Sequence, residues 1–147
     1  MQGRITKELN ELSTNPPENC TVGLVGDNMA EWRVSIVGPS ESPYEGGQFE
    51  VLLTIPPNYP FKPPDARFST KIYHPNIKSD DGMICAEIYQ ANWGPTKSIR
   101  HIIEVITSIM LNPNTDHPVE VDIARQMADN YGSFVETARQ WVNNYAR

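Results

Sequence analysis

Apolar residues near the N-terminus recur at the spacing of a helix. Ile5, Leu9 and Leu12 share one side of this segment, and charged residues occupy the other side. The pattern ends at Asn15, which two prolines follow, because proline cannot continue a helix. The sequence therefore predicts a short amphipathic N-terminal helix.

The middle of the chain changes to a two-residue period, which is typical of strands with one buried face. Residues 32–36 and 49–55 alternate apolar and polar side chains, and residues 22–25 and 66–69 show weaker patterns. The connections between these four segments are too short for crossover helices. We therefore predict a four-stranded antiparallel meander sheet.

Helical periodicity returns in the last third of the chain. A long apolar stripe over residues 99–110 follows Ser98, a candidate N-cap, and stops at Asn112-Pro113. Two shorter stripes after it predict two C-terminal helices. Strands followed by helices define an α+β fold, and we expect one domain spanning residues 1–147.

The composition is that of a soluble globular protein, with 39% hydrophobic and 20% charged residues. The net charge of -6 argues against a broad nucleic-acid surface, which would need a basic face. No apolar run reaches the length of a membrane span or of a signal-peptide core. We therefore expect a monomer of the cytoplasm and nucleus that binds neither nucleic acid nor membrane.

Cys20 and Cys85 are too few for a disulfide framework or a clustered zinc site, and we expect no metal. Cys85 lies in residues 73–93, a long segment without clear periodicity, and such segments are often functional. Cys20 lies at the start of a predicted strand, where a small, partly buried side chain is the simpler interpretation. Cys85 is therefore the candidate nucleophile.

Four short motifs occur in the order, and close to the spacing, found in ubiquitin-conjugating enzymes. They are Tyr59-Pro60-Phe61-Lys62-Pro63-Pro64, His74-Pro75-Asn76, Gly82-Met83-Ile84-Cys85 and Trp93-Gly94-Pro95. The similarity extends from about Arg4 to the C-terminus and is greatest to the small single-domain members without extensions. The resemblance implies the fold of that family.

The resemblance also implies that Cys85 carries ubiquitin as a thioester. An activating enzyme would use ATP to supply the ubiquitin, so no cofactor is expected on this chain. RING-type or HECT-type ligases would direct the ubiquitin to a substrate lysine or to a ligase cysteine. Cysteine suits this relay because a thiolate attacks acyl carbon readily and the resulting thioester still reacts with amines.

Asn76 is the candidate partner for the tetrahedral oxyanion of aminolysis, because its neutral amide can donate a hydrogen bond to the developing charge. Asparagines in turns also bind backbone groups, so a purely bracing role is the alternative. His74 is structural in the family that the chain resembles. A catalytic role for it would require the imidazole to act as a base against the thiol.

Three features depart from the family pattern around the thiol. The segment from Asn76 to Cys85 is one residue longer than usual, and we expect the extra residue to bulge outward at a polar turn. Glu87 stands where close relatives often have aspartate, and we expect it to orient an incoming lysine. His117 stands where relatives often have an acidic residue or serine. Because histidine changes charge near neutral pH, the presence of His117 predicts that the transfer of ubiquitin to lysine is sensitive to pH. The alternative is that His117 is an ordinary surface histidine.

The resemblance further assigns three docking surfaces. Contacts with the activating enzyme and ligases are expected at Arg4, Lys7, Phe61, Pro95 and Thr96, with Phe61 as an aromatic anchor. The long helix is expected to face the carried ubiquitin through His101, Glu104 and Ser108. A weak second ubiquitin contact on the back of the sheet would involve Thr21, Val22 and Gln48. By the same resemblance the Tyr59–Pro60 bond is expected to be cis.

Three alternatives remain open from the sequence. The same fold could conjugate another ubiquitin-like modifier, although the acidic balance and the ordinary first helix favour ubiquitin. A non-catalytic ubiquitin-binding variant would lack the thiol, so the presence of Cys85 argues against it. A cysteine hydrolase would cleave the thioester rather than hold it.

Overall fold

The N-terminal half of the protein is one helix followed by a meander of strands. The computed structural model describes residues 2–147. Its first elements are α1 (Gln2–Thr14), β1 (Cys20–Val25), β2 (Asn28–Val37), β3 (Gln48–Thr54) and β4 (Asp65–Phe68). The strands form an antiparallel sheet in the order β1-β2-β3-β4. The predicted helix and four-stranded meander are confirmed.

The alternating pattern of the strands sorts their side chains to two faces. Trp32 pairs with Leu53, and Val34 pairs with Val51, and all four side chains are almost completely buried. The α1 residue Leu12 belongs to the same core. Burial of one face of the sheet against the helices provides the main stabilisation of the fold.

The remaining elements are helices, namely α2 (Ala86–Gln90), α3 (Ile99–Leu111), α4 (Val121–Asp129) and α5 (Tyr131–Tyr145). The apolar stripe of α3 is buried, as its periodicity predicts. The Ser98 hydroxyl accepts a hydrogen bond from the His101 N–H at 3.3 Å, so Ser98 is the N-cap. The predicted α+β class, with a long central helix and two C-terminal helices, is confirmed.

The short helix α2 was absent from the sequence-based expectation, which treated the residues after Cys85 as irregular. Five residues make little more than one turn, so they cannot display the apolar repeat that identifies a longer helix. Tyr89 is its buried residue, and the Tyr89 hydroxyl contacts the backbone N–H of Ala66 at 3.3 Å. The correction matters because α2 begins directly after the candidate nucleophile.

Candidate active site

Cys85 lies at the junction between an irregular segment and α2. Its N–H donates to the carbonyl of Asn76 at 2.9 Å, and its own carbonyl accepts from the N–H of Ile88 at 3.1 Å. The side chain is partly exposed, and its sulfur lies 3.6 Å from the carbonyl oxygen of His117. The fold therefore presents this thiol at the surface on a backbone that is held from both sides.

A hairpin brings Asn76 and Cys85 together at its base. Ile77 pairs with Ile84 across the hairpin, next to the hydrogen bond that joins Asn76 and Cys85. Both isoleucines are buried, which anchors the hairpin in the core. The register between the asparagine and the thiol is thus fixed by backbone pairing.

The polar tip of the hairpin lies in the segment where the extra residue is expected. The N–H of Lys78 donates to the carbonyl of Met83 at 2.9 Å, which closes the tip. Gly82 has a φ of +77°, and a Cβ at this position would clash with the carbonyl oxygen of Phe68. Glycine is therefore required where the tip packs on β4.

The side chain of Asn76 is fully buried and bound to the backbone of Asn114. Its Nδ2 donates to the Asn114 carbonyl at 2.5 Å, and its Oδ1 accepts from the Asn114 N–H at 2.9 Å. The bracing contact considered for this residue is therefore present. An amide nitrogen carries two hydrogens, so a second donor remains on Nδ2 beyond the one bound to Asn114.

The loop over residues 112–120 is fastened to the turn that contains Asn76. The N–H groups of Val119 and Glu120 both donate to the carbonyl of Pro75, at 2.9 and 3.0 Å. Together with the two hydrogen bonds to Asn114, these contacts fix the loop beside the thiol.

His117 and Glu87 face each other beside Cys85. His117 Nδ1 lies 3.5 Å from Glu87 Oε2, and the two side chains are 64% and 66% exposed. The two side chains that depart from the family pattern thus form one surface pair. Because water screens such a pair, its contribution to stability is at most about 1 kcal/mol.

His74 is enclosed by the core and has no free ring nitrogen. Its Nδ1 accepts from the N–H of Asn76 at 3.0 Å, which assigns the proton to Nε2, and Nε2 donates to the carbonyl of Ile109 at 2.6 Å. The ring also stacks on Tyr44 with centroids 5.6 Å apart. Burial lowers the pKa of His74 to about 4, although the bond to Ile109 opposes the shift. Both nitrogens are occupied, which leaves none to act on Cys85.

This burial predicts a pH-dependent stability. Between about pH 6.5 and pH 4 the unfolded chain protonates His74 while the folded chain keeps it neutral, so stability falls as the pH is lowered through that window. We expect a loss of about 2 kcal/mol between pH 7.5 and pH 5 that is absent from His74→Gln. Chemical unfolding of both proteins at the two pH values measures the difference.

His117→Gln is the matched control for that experiment, because it removes an exposed histidine whose pair with Glu87 contributes at most about 1 kcal/mol, so most of the pH dependence of the parent should remain. A second measurement does not depend on the folding of a variant. Imidazole NMR of the parent should show His74 still neutral at pH 5. Protonation of His74 above pH 6 would contradict the expected result.

The predicted partner-docking residues divide into exposed and internally bound groups. Phe61 is 68% exposed, and Lys7, Pro95 and Thr96 are also exposed. The Arg4 side chain is only 35% exposed and is bound within the protein. Its predicted role as a direct contact stays a prediction, and its internal hydrogen bonds add a second possible role for this side chain.

The turn that carries Phe61 is attached to the segment before α3. The indole N–H of Trp93 donates to the carbonyl of Pro60 at 2.7 Å, and the Trp93 ring lies 6.0 Å from the ring of Tyr59. The Tyr59–Pro60 bond is cis, as expected. Phe61 and the segment before α3 consequently form one connected surface.

The outward face of α3 leads toward the thiol. Glu104 and Ser108 are exposed and line an open groove whose other wall includes Glu87 and Ile88 of α2. His101 is half-buried one turn earlier. The helical spacing predicted for these α3 residues therefore places them along one path that ends at α2.

The three residues predicted for the back of the sheet do not share a face. Thr21 and Gln48 are exposed, whereas Val22 pairs with the buried Val34 and packs against the core. The period of a strand sends neighbouring side chains to opposite faces, so Thr21 and Val22 cannot contact the same partner from the back of the sheet. Including Val22 in that surface was wrong.

Two residues that join the site together were not singled out from the sequence. Glu8 receives hydrogen bonds from three different elements, and Asn114 holds Asn76 through backbone atoms alone. The spacing of Arg4 and Glu8, four residues apart on a helix, could have indicated their ion pair. Nothing in the identity of Asn114 indicates a contact that any residue type could make.

Within residues 2–147 no group of three or more histidine, cysteine, aspartate or glutamate side chains is arranged to hold a metal ion. Over the same residues, every helix is too short or too polar to cross a membrane.

The protein has an α+β fold with a partly exposed cysteine at its candidate active site. Comparisons with known proteins identify the class to which it belongs. The family model described as ubiquitin-conjugating enzyme matches residues 4–142. The ubiquitin conjugating enzyme E2 B of Dictyostelium discoideum is 43% identical over 144 residues, covering 98% of this chain and 97% of that protein.

Solved structures agree with the sequence matches. The E2 domain of a Toxoplasma gondii ubiquitin conjugating enzyme superposes with a TM-score of 0.91 at 37% identity, covering 99% of each chain. A putative ubiquitin conjugating enzyme from Plasmodium yoelii gives a TM-score of 0.92 at 35% identity, covering 99% of this chain and 94% of that one. The protein belongs to the ubiquitin-conjugating enzyme family, and it is a transferase of that family.

Proposed function

We propose that this transferase accepts ubiquitin from an activating enzyme as a thioester on Cys85 and passes it to a substrate lysine or to a ligase cysteine. The observation that carries the proposal is the partly exposed Cys85 thiol, joined through the backbone to Asn76 inside the region that matches the family. Cys20 offers no competing nucleophile, because it is 5% exposed.

The chemistry consists of two acyl transfers. During charging, the Cys85 thiolate attacks the carbonyl carbon of ubiquitin on the activating enzyme, and the thiolate of that enzyme leaves. During discharge, the amine of a lysine attacks the same carbonyl carbon, the carbon–sulfur bond breaks, and the amine loses a proton. The products are an isopeptide bond and free Cys85.

Asn76 is proposed to stabilise the oxyanion of the discharge step. The second hydrogen of its Nδ2 is the donor available for this purpose, since the first is bound to Asn114. The bond to Asn114 holds the amide in place before the charge develops. The bracing contact thus uses one of the two Nδ2 hydrogens, and the proposed oxyanion contact would use the other.

The proposed partners are ubiquitin, its activating enzyme, RING-type and HECT-type ligases and substrate lysines. Phe61, Pro95 and Thr96 supply the exposed part of the proposed docking surface. The face of α3 that leads to α2 is proposed to contact the carried ubiquitin, and Thr21 with Gln48 remains the proposal for a second contact. The proposed locations are the cytoplasm and nucleus.

A charging assay tests the proposed function. The protein is mixed with activating enzyme, ATP and tagged ubiquitin, and an adduct that reductant removes is the expected result. Parallel reactions with other ubiquitin-like modifiers, each with its own activating enzyme, test the alternative carrier. Charging by another modifier and not by ubiquitin would overturn the proposal. Rapid loss of the adduct in water without an amine would instead indicate a hydrolase.

The pair of His117 and Glu87 predicts that discharge depends on pH. Histidine ordinarily gains a proton as the pH falls below about 6.5, and a protonated His117 would neutralise Glu87, the carboxylate proposed to receive the incoming lysine. We expect discharge to rise more steeply with pH for the parent than for His117→Asp, on the order of threefold across the range because the pair is exposed. Single-turnover discharge to lysine from pH 6 to pH 9 measures both profiles.

Glu87→Gln provides the control for this experiment. It removes the charged partner of His117 while preserving the shape of the Glu87 side chain. Discharge by Glu87→Gln should therefore rise less steeply with pH than discharge by the parent. If the profiles of the parent and His117→Asp superimpose, His117 is a plain surface residue.

A further inference from the structure

One carboxylate, that of Glu8, joins three parts of the fold. Its Oε2 accepts from Arg4 Nε at 3.0 Å and from the Tyr59 hydroxyl at 2.6 Å. Its Oε1 accepts from the backbone N–H of Ile99 at 2.9 Å. Glu8 therefore ties α1 to the turn that precedes Phe61 and to the first residue of α3.

The environment of Glu8 makes these contacts strong. Its side chain is only 14% exposed, and hydrogen bonds to a charged group in such a setting are stronger than those between neutral groups. Burial and the hydrogen bond from Tyr59 to Glu8 both raise the pKa of Tyr59, so its hydroxyl keeps the proton that it donates. A negative charge at the first residue of α3 also complements the positive end of the helix dipole.

Arg4 uses its remaining donors on the segment before α3. Its Nη1 donates to the carbonyl of Pro95 at 3.0 Å, and its Nη2 donates to the carbonyl of Lys97 at 2.6 Å. The guanidinium carbon lies 5.4 Å from the centre of the Tyr59 ring, in cation–π geometry. With Nε on Glu8, every nitrogen of this guanidinium is directed to a partner within the protein.

These contacts define a docking loop, residues 93–98, whose position depends on α1. Pro95 and Thr96 at its tip are exposed, while the carbonyls on either side of Thr96 are held by Arg4. Glu8 fixes the orientation of Arg4 and also bonds the residue that follows the loop. The exposed tip is thus supported from behind by an ion pair.

We propose that Glu8 is a positioning residue for the docking of partner enzymes, and that Arg4 acts by holding the docking loop rather than by contacting the partner. The inference rests on the proposed function, because it concerns how the activating enzyme is recognised during charging. If Arg4 were a direct contact, removing Glu8 would release its guanidinium for the partner. The two roles therefore predict opposite effects of a change at Glu8.

Glu8→Gln separates these roles. The amide keeps the shape of the side chain but places its NH2 group either against the Arg4 and Tyr59 donors or against the N–H of Ile99, so donor meets donor in both orientations. We expect the KM for this protein in the charging reaction to rise about tenfold, the effect of losing one hydrogen bond to a charged group. The kcat at saturation should stay within about twofold, because the thiol is untouched. Initial rates of charging with activating enzyme, ATP and ubiquitin measure both constants.

Glu11→Gln is the matched control. It removes the same charge from the same helix, but Glu11 is 61% exposed and its contact with Arg100 spans 3.8 Å. Its KM should equal that of the parent, which separates positioning from a general effect of charge. Thermal unfolding of each variant checks that the fold is intact.

Arg4→Lys tests the inference without changing Glu8. Lysine keeps the positive charge but lacks the fork that reaches two carbonyls and a carboxylate together, so its KM should also rise. The variant that combines Glu8→Gln with Arg4→Lys should raise the KM no more than the more severe of the two single variants does, because both changes break the same group of contacts.

An unchanged or lower KM for Glu8→Gln, in a parent that charges normally, would overturn this inference alone, whatever the effect of Arg4→Lys. Failure of the parent to charge with ubiquitin would overturn the proposed function and this inference with it.

Discussion

Replacing Cys85 with alanine is expected to abolish the ubiquitin adduct completely, whereas replacing Cys20 with alanine should leave it intact. Cys85 is partly exposed, while Cys20 is 5% exposed within the core. Burial also raises the pKa of Cys20 to about 11, so this thiol stays protonated at neutral pH. Charging with activating enzyme and ATP, analysed with and without reductant, distinguishes the two variants.

Cys85→Ser extends this prediction to the chemistry of the bond. A serine in the same position would form an ester, which reductant does not cleave and which amines attack far more slowly. We expect a weaker adduct that survives reductant and fails to discharge to lysine. An adduct on Cys85→Ala that disappears when Cys20 is also replaced would show that the nucleophile was assigned to the wrong cysteine.

The parts of the fold that could be predicted are those whose periodicity spans several turns or strand residues. The apolar stripe that begins at Ile99 and the alternation around Trp32 each repeat often enough to identify a helix and a strand. Helix α2 was missed because a single turn has no repeat. Val22 was misplaced because its strand pattern was too weak to show which face it occupies.

The site was predictable only where side-chain identity carries the chemistry. Cys85 and Asn76 could be selected because a thiol and an amide have reactivities that other residues lack. The contacts that place them use backbone atoms, such as those of Asn114, and backbone atoms are the same for almost any residue. Glu8 was overlooked for a related reason, since most charged residues on a helix surface are solvated and only the structure distinguishes the exception.

The side chain of Asn76 has both a proposed chemical role and a structural role. The amide is fully buried, and its contacts fix the 112–120 loop that carries His117. A substitution at Asn76 therefore affects the chemistry and the architecture at the same time. An experiment on this residue has to separate the two effects.

Asn76→Ala is expected to slow discharge of ubiquitin to free lysine by on the order of a hundredfold to a thousandfold, the usual effect of removing an oxyanion donor. It should also lower the free energy of unfolding by about 2 kcal/mol, because the N–H of Asn114 loses its buried acceptor. Single-turnover discharge from the charged protein measures the first effect, and chemical unfolding measures the second.

Asn114→Ala separates catalysis from bracing. It removes the side-chain oxygen that accepts from the Asp116 N–H at 2.9 Å, which loosens the same loop, but it preserves the backbone atoms that bind Asn76. If Asn76 binds the oxyanion, Asn114→Ala should lose stability while its discharge rate falls by less than about tenfold. If the two variants slow discharge equally for the same loss of stability, bracing alone explains Asn76, and the oxyanion must be stabilised by another donor.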